Sequence, residues 1–360
     1  MKHIATKSIL AASAALVTAA SAGAVGLGDI VYVDVLADTV NSYRFGPGGS
    51  FVEYTFADPN NEINLSQIRR VDGSWYVNSD NLPIANPSVA AIFRVDNLFG
   101  AASATTVFQG NPLQRPVGLD YHRGSDTLIA INNIPQAGSV SPEFEGIIGV
   151  ARDGSSAGFI YDEDISDPSS PRYKAGNRIT KDPFDGDRFY VTSVNGGAGD
   201  TGPGGGGDTD RPSQIYRLDM SNDGSGVLTQ VVDFTVTMPT LTFVRGITSA
   251  VGSDGFVDLY ITDSFADAIY RVDLDANGDF AGMDLVANVV DPGEIQYNRY
   301  NNTLVFGQVL PDTLAQINLD GTGYQVLANN VNPRGIWIVP TPGATALLAL
   351  AGLAGLRRRR

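Results

Sequence analysis

Three features of this 360-residue sequence predict an all-β chain, a six-bladed β-propeller whose C-terminal strand completes the first blade. The first is a phrase, Leu259 to Asp275 (LYITDSFADAIYRVDLD). Its second half recurs as NSYRF (Asn41 to Phe45), AIFRVD (Ala91 to Asp96), QIYRLD (Gln214 to Asp219) and AQINLD (Ala315 to Asp320). A recurring unit of strands at a period of roughly fifty residues is the mark of propeller blades. The second feature is a set of six strand starts in which a short polar opening precedes a buried aliphatic residue. They lie at Ile68, Leu119, Ile179, Ile247, Ile295 and Ile336, spaced 51, 60, 68, 48 and 41 residues apart. The third is a pair of fragments: IVYVDV, after Asp29, is a second strand with no first, and NPRGIWIVP (Asn332 to Pro340) is a first strand with no second. Pairing them closes the ring and removes an open sheet edge.

Within each blade the second strand reads SWYVNS, TLIAIN, RFYVTS, DLYITD or NTLVFG, where aromatic or β-branched residues alternate with polar ones. The third strand is the repeated phrase. The fourth ends in lines such as LTQVVDF, MDLVANVV and YQVLANNV, after turns marked NDG, NGD and DGTG that suit left-handed backbone. Gly196 to Arg211 (GGAGDTGPGGGGDTDR) is too poor in apolar residues to pack and is predicted as a flexible loop between the second and third strands of blade four. It has no GxxxxGK[ST] pattern, which argues against a phosphate cradle.

Composition agrees with a large, turn-rich domain: 43% hydrophobic and 18% charged residues, with 41 Gly and 19 Pro. The absence of cysteine excludes thiol catalysis, thiolate metal sites and lipidation on cysteine. Residues 1–22 have the layout of a secretory signal: Lys2 and Lys7, an apolar stretch from Ile9 to Ala20, and small residues with cleavage after Ala22 or, alternatively, Ala24. Its removal leaves His122 as the sole histidine, which excludes a histidine-rich zinc site within one chain.

The propeller is predicted over residues 29–339. Residues 340–360 combine a Pro-Thr-Pro breaker, thirteen small or apolar residues from Ala344 to Leu356, and four arginines, Arg357 to Arg360. This order resembles the PEP-CTERM sorting signal of exported proteins in Gram-negative-type bacteria, with Thr341 where that family has Glu. The resemblance implies a short transmembrane helix, transient membrane retention with the arginines inside, and a membrane processing peptidase. The outcome would be delivery to the cell surface or its exopolysaccharide matrix; a permanent membrane anchor is the alternative. Losing Lys2, Lys7 and the four terminal arginines takes the formal net charge from −15 to −21. Such a surface repels nucleic acid and anionic lipid and attracts divalent cations.

Two residue sets are candidate sites. The window Asp273 to Asp284 (DLDANGDFAGMD) places Asp273, Asp275, Asn277, Asp279 and Asp284 at calcium-loop positions around Gly278, and resembles an EF-hand loop. Its flanks read as strands and its twelfth residue is Asp rather than Glu, so a polar hairpin turn is the competing reading. A weaker copy opens at Asp219. The second set aligns the ends of the second strands: Ser79, Asn132, Ser193, Asp263 and Gln308, with Asp34 or Asp38 in the first blade. Such a row can converge on the axial channel to hold a cation or polar ligand, or can be merely solvated strand ends. His122, in LDYHRGSD, reads as a surface-turn histidine, and Trp75 and Trp337 as packing between blades.

The chain resembles the NHL and gluconolactonase-like six-bladed propellers, chiefly through LYITDSFADAIYRVDLD. In the latter, an axial divalent ion is held by a glutamate, an asparagine and an aspartate. The resemblance maps the aspartate onto Asp263 and the asparagine onto Asn132. The glutamate has no counterpart in Arg334-Gly335-Ile336, and Glu294 stands in the same row of another blade. The expectation is therefore a non-catalytic binding or scaffold module for a surface polymer or protein, calcium-stabilised at most. A metal-dependent lactonase or phosphotriesterase-like hydrolase is the alternative.

Overall fold

The computed structural model describes residues 26–46, 48–57, 63–79, 90–133, 146–162, 173, 176–193, 213–238, 241 and 243–340. They form six four-stranded antiparallel sheets, each a blade written here from its inner strand outward. Blade 1 is β24 (Pro333–Ile338), β1 (Ile30–Asp34), β2 (Thr39–Arg44) and β3 (Gly49–Thr55); blade 2 is β4 (Leu65–Val71), β5 (Ser74–Ser79), β6 (Ala91–Asp96) and β7 (Ser103–Gln109). Blade 3 is β8 (Pro116–His122), β9 (Thr127–Asn132), β10 (Gly146–Ala151) and β11 (Ala157–Asp162); blade 4 is β12 (Gly176–Lys181), β13 (Arg188–Ser193), β14 (Gln214–Met220) and β15 (Gly226–Asp233). Blade 5 is β16 (Val244–Val251), β17 (Val257–Asp263), β18 (Ala268–Leu274) and β19 (Phe280–Asn288); blade 6 is β20 (Pro292–Asn298), β21 (Thr303–Gln308), β22 (Thr313–Asn318) and β23 (Gln325–Asn329). One short helix, α1 (Phe234–Thr237), follows β15. The inner strands β4, β8, β12, β16, β20 and β24 each contact the next, and β24 contacts β4, so the ring is shut.

The closure is the predicted one. β24 pairs antiparallel with β1, matching Ile30 to Ile338, Val31 to Trp337 and Tyr32 to Ile336.

Period-two alternation explains how sheets become a ring. A second strand has a blade on either side, so its odd and even residues enter different interfaces. Phe189 and Val191 pack toward blade 3, whereas Tyr190 packs toward blade 5. Trp75 and Val77 likewise oppose Tyr76, and Leu259 and Ile261 oppose Tyr260. The result is six apolar clusters, one per blade–blade interface. Trp75 is buried in the cluster of blades 1 and 2, and Trp337 packs against it. Fourth strands face solvent and lose the continuous burial of the second strands, as β3 shows beside β1.

The turn signals also hold: Gly224, Gly278 and Gly321 have positive φ in their hairpins. Residues 1–22, the glycine-rich stretch 196–211 and the tail beyond Pro340 lie outside the described residues, though β13 and β14 on either side of that stretch are the second and third strands of blade 4. No helix among the described residues is long and apolar enough to cross a membrane.

Candidate functional site: the axial mouth

On the inner strands, the residue before each buried aliphatic gives a row that runs Gly335, Gln67, Gly118, Arg178, Gly246, Glu294 from blade 1 to blade 6. Glycine alternates with a long polar side chain. The glycines are sterically required: a Cβ on Gly335 would stand 2.6 Å from Gln67 Cα, one on Gly246 2.5 Å from the Gly293 carbonyl oxygen, and one on Gly118 2.7 Å from Ile131 Cγ1. Three bare positions leave room for three long ones.

Those three meet across the ring. Arg178 Nε donates to Glu294 Oε2 (2.5 Å) and Gln67 Nε2 donates to Glu294 Oε1 (2.7 Å), each pair spanning two blades. Arg178 Nη1 also donates to the Val117 carbonyl (2.6 Å) and Nη2 to that of Arg334 on the opposite blade (3.5 Å). The Arg178 and Glu294 side chains are 6% and 1% exposed, so the pair sits in a low-dielectric centre. Burial pushes the Glu294 carboxyl up, against the opposing pull of Arg178, Arg69 and Gln67. Two residues along β4, Arg69 forms a second crossing: Nε to Asp120 Oδ2 (3.3 Å), Nη2 to the Ile179 carbonyl (3.2 Å), and the guanidinium 5.6 Å from the Trp337 ring centroid. The channel is thus plugged by polar groups that satisfy one another.

Above the plug a cleft of about 130 Å³ opens at the end where the inner strands begin, and all six blades contribute to its wall. Among the described residues its charged lining is Arg115, Arg178, Arg245, Arg334 and Glu294. Asp291 pairs with Arg245 at 3.3 Å. Arg245 is held below the usual arginine range by burial first, with the Arg178 charge acting in the same direction and Asp291 opposing both. Phe243 lines the cleft and lies against Phe265, centroids 4.9 Å apart. Phe265 (61% exposed) and its counterparts in the same turn of blades 6 and 1, Leu310 (77%) and Leu36 (70%), form an apolar arc on this face.

The predicted axial row is structurally equivalent from blade to blade, and all its members are buried. The structure does not bring these side chains together on the axis. Each lies in its own blade, and Ser79, Asn132, Asp34, Asp263 and Gln308 bond to the loop that leads to the inner strand. Ser79 Oγ accepts the Asn64 N–H, Asn132 Oδ1 those of Gln114 and Arg115, and Asp34 Oδ1 that of Asn332. Asp263 accepts from Phe243 through Oδ2 (3.0 Å) and from Phe265 and Ala266 through Oδ1 (2.8 Å each). Gln308 donates to the Val290 carbonyl and accepts from Thr313 and Tyr324. Ser193 holds the same register, opposite Gly176. Asp38 belongs to the turn after β1, at φ 50°.

The calcium-like window is the β18–β19 hairpin. Asp275 Oδ1 accepts the N–H groups of Asn277 (2.8 Å) and Asp279 (3.0 Å), while Arg271 pairs with both Asp273 and Asp284 at 2.7 Å. Its oxygens serve the turn and an arginine rather than a common centre. Among the described residues no three His, Asp or Glu side chains stand together as a metal-binding group. His122 is the last residue of β8 rather than a turn residue, and it is not on the surface. It is fully buried, with Nδ1 2.8 Å from Ser125 Oγ and Nε2 3.0 Å from Asp187 Oδ1 of the next blade.

The sequence matches no known family profile and no curated protein. Among solved structures, a chain of the nidogen/laminin complex superposes with a TM-score of 0.61 at 12% identity, covering 86% of this chain and 97% of that one. An auxiliary nutrient binding protein from Bacteroides thetaiotaomicron superposes with a TM-score of 0.52 at 13% identity, covering 80% and 67%. The likeness is one of fold.

Proposed function

We propose that this chain is a non-catalytic binding module whose ligand sits at the axial mouth. The observation that carries this reading is the Gln67–Glu294–Arg178 plug beneath an open, polar cleft. The Glu294 carboxylate is committed to a guanidinium, so it is poorly placed to bind a divalent ion or to act as a base. Ser66, the hydroxyl in the wall, donates to the Val117 carbonyl at 2.9 Å. A floor fixed by its own hydrogen bonds suits recognition, because few groups need reordering when a ligand arrives. The two structural neighbours named above are described as a partner in a laminin complex and a nutrient binding protein, which agrees with a binding role by analogy of fold alone.

We further propose export, with residues 1–22 as signal and residues 340–360 as a PEP-CTERM-like sorting tail read by a membrane peptidase, so that the mouth faces a surface polymer or protein. A calcium ion in the β18–β19 hairpin would have to displace the Arg271 pairs; melting with and without calcium is expected to coincide. The test against an NHL or gluconolactonase-like hydrolase is turnover of lactones and phosphotriesters with calcium, manganese or zinc added. No turnover is expected. Metal-dependent turnover that disappears in Glu294→Gln would sink the reading.

A further inference from the structure

We propose that the outer rim of the ring is locked against strand addition, so that a second copy of this chain cannot pair with the fourth strands. Gly154 and Gly321 complete the lock on blades 2 and 5. The inference concerns the rim alone and stands apart from the axial mouth.

A ring of six sheets has six fourth strands, each of which could offer a row of backbone N–H and C=O groups to another strand. Among the described residues, every one of them is bulged at the same place. Where the third strand passes from its second residue to its third, the register jumps and one residue of the fourth strand is left over. From blade 1 to blade 6 these are Glu53, Val107, Ile160, Val231, Val286 and Leu327. An extra residue turns two neighbours to the same side and increases the strand's twist. Here the shared side is the next blade. Val107 with Phe108, Ile160 with Tyr161, Val231 with Val232, Val286 with Ala287 and Leu327 with Ala328 all pack into the cluster shared with the blade that follows. In blade 1 the Glu53 carboxylate is taken by Arg44 Nη2 at 2.6 Å, while Tyr54 packs toward blade 2. The outer strands therefore curl toward their neighbours instead of lying flat.

Turns of the following blade then cover two of the bulges. Gly154, in the β10–β11 turn of blade 3, comes so close to β7 that a Cβ there would stand 2.0 Å from the Val107 carbonyl oxygen. Gly321, in the β22–β23 turn of blade 6, repeats this at 2.0 Å from the Val286 carbonyl oxygen of β19. Both carbonyls belong to the residues that the ladder with the third strand passes over. Both glycines have left-handed backbone, with φ of 76° and 79°. A side chain at either position would have to push the turn off the edge that it covers. An edge that is twisted away and then covered is a poor template for another strand.

The experiment compares Gly154→Ala and Gly321→Ala with Gly73→Ala and Gly255→Ala, all in the full chain. The second pair also has left-handed backbone, with φ of 96° and 88°, but open space where the Cβ would go, so it carries the strain without the collision. Sedimentation velocity reads self-association, and hydrogen exchange reads the strands. Both controls are expected to match the wild type. Gly154→Ala and Gly321→Ala are expected to self-associate as concentration rises, and to speed amide exchange about ten-fold or more in β7 and β19 respectively. Thr105 is exposed on β7, so Thr105→Lys in the Gly154→Ala background puts a charge on the opened edge and should restore the wild-type state without mending the turn. Collision variants indistinguishable from the controls, or association that survives Thr105→Lys, would overturn the lock. Should a collision variant not fold, the wild type is titrated with the free peptide SATTVFQ, a copy of β7. No binding is expected, and binding that protects the β7 amides from exchange would overturn the proposal.

Discussion

Glu294 and Arg178 illustrate how little of a residue's role its type reveals. Glu294 occupies the row that a metal-binding glutamate would use, yet an arginine from two blades away takes its charge. Burying both ions is costly, and removing one leaves the other uncompensated. Glu294→Gln is therefore expected to lower unfolding free energy by about 3–5 kcal/mol. Arg178→Met with Glu294→Leu should cost much less than the sum of the singles, because both charges leave together. Denaturant unfolding of the four proteins measures the coupling; additive effects would show that the pair does not interact. His122 is a second case. In sequence it stands in a polar turn and reads as exposed, but Asp187, 65 residues on, meets it across the blade interface.

At the scale of elements, strands and their order were legible because periodicity and turn residues are local signals. The row at the second-strand ends was also legible as a row. Its direction was not, because that depends on which backbone amides need an acceptor, and those belong to loops with no repeating sequence. Asn132 Oδ1 and Asp263 Oδ2 serve the loops ahead of β8 and β16. The true axial row escaped because three of its six members are glycines, so a search for like residues at like positions finds no pattern. Arg245-Gly246-Ile247 and Arg334-Gly335-Ile336 were its visible trace. The hairpin of blade 5 carries its own consequence. Asp258, opposite Asp273 on β18, has its carboxyl pushed up to about 6 by burial and then by the Asp273 charge. A carboxyl raised in the folded state favours folding while protonated, so this contribution is present below about pH 4 and is lost as pH rises through 6. Asp258→Asn should remove that slope, gaining about 1 kcal/mol over wild type between pH 4 and 7 after allowance for solvent screening. Parallel stability profiles for the two proteins would contradict it.

Taken whole, the molecule is a ring that the end of its propeller sequence closes. The pairing of β24 with β1 leaves no inner strand unpartnered and brings Arg334 to the mouth, beside residues more than two hundred positions earlier in the chain. Closure thus shapes the cleft as well as the fold. The same ring gathers four arginines from blades 1, 3, 4 and 5 around one mouth, a grouping that no local stretch of sequence carries. The most direct measurement is a crystal structure of the protein soaked in calcium or manganese. An intact Arg178–Glu294 pair with no ion on either carboxylate oxygen is the expected result. A metal ion on Glu294 with Arg178 turned away would contradict it.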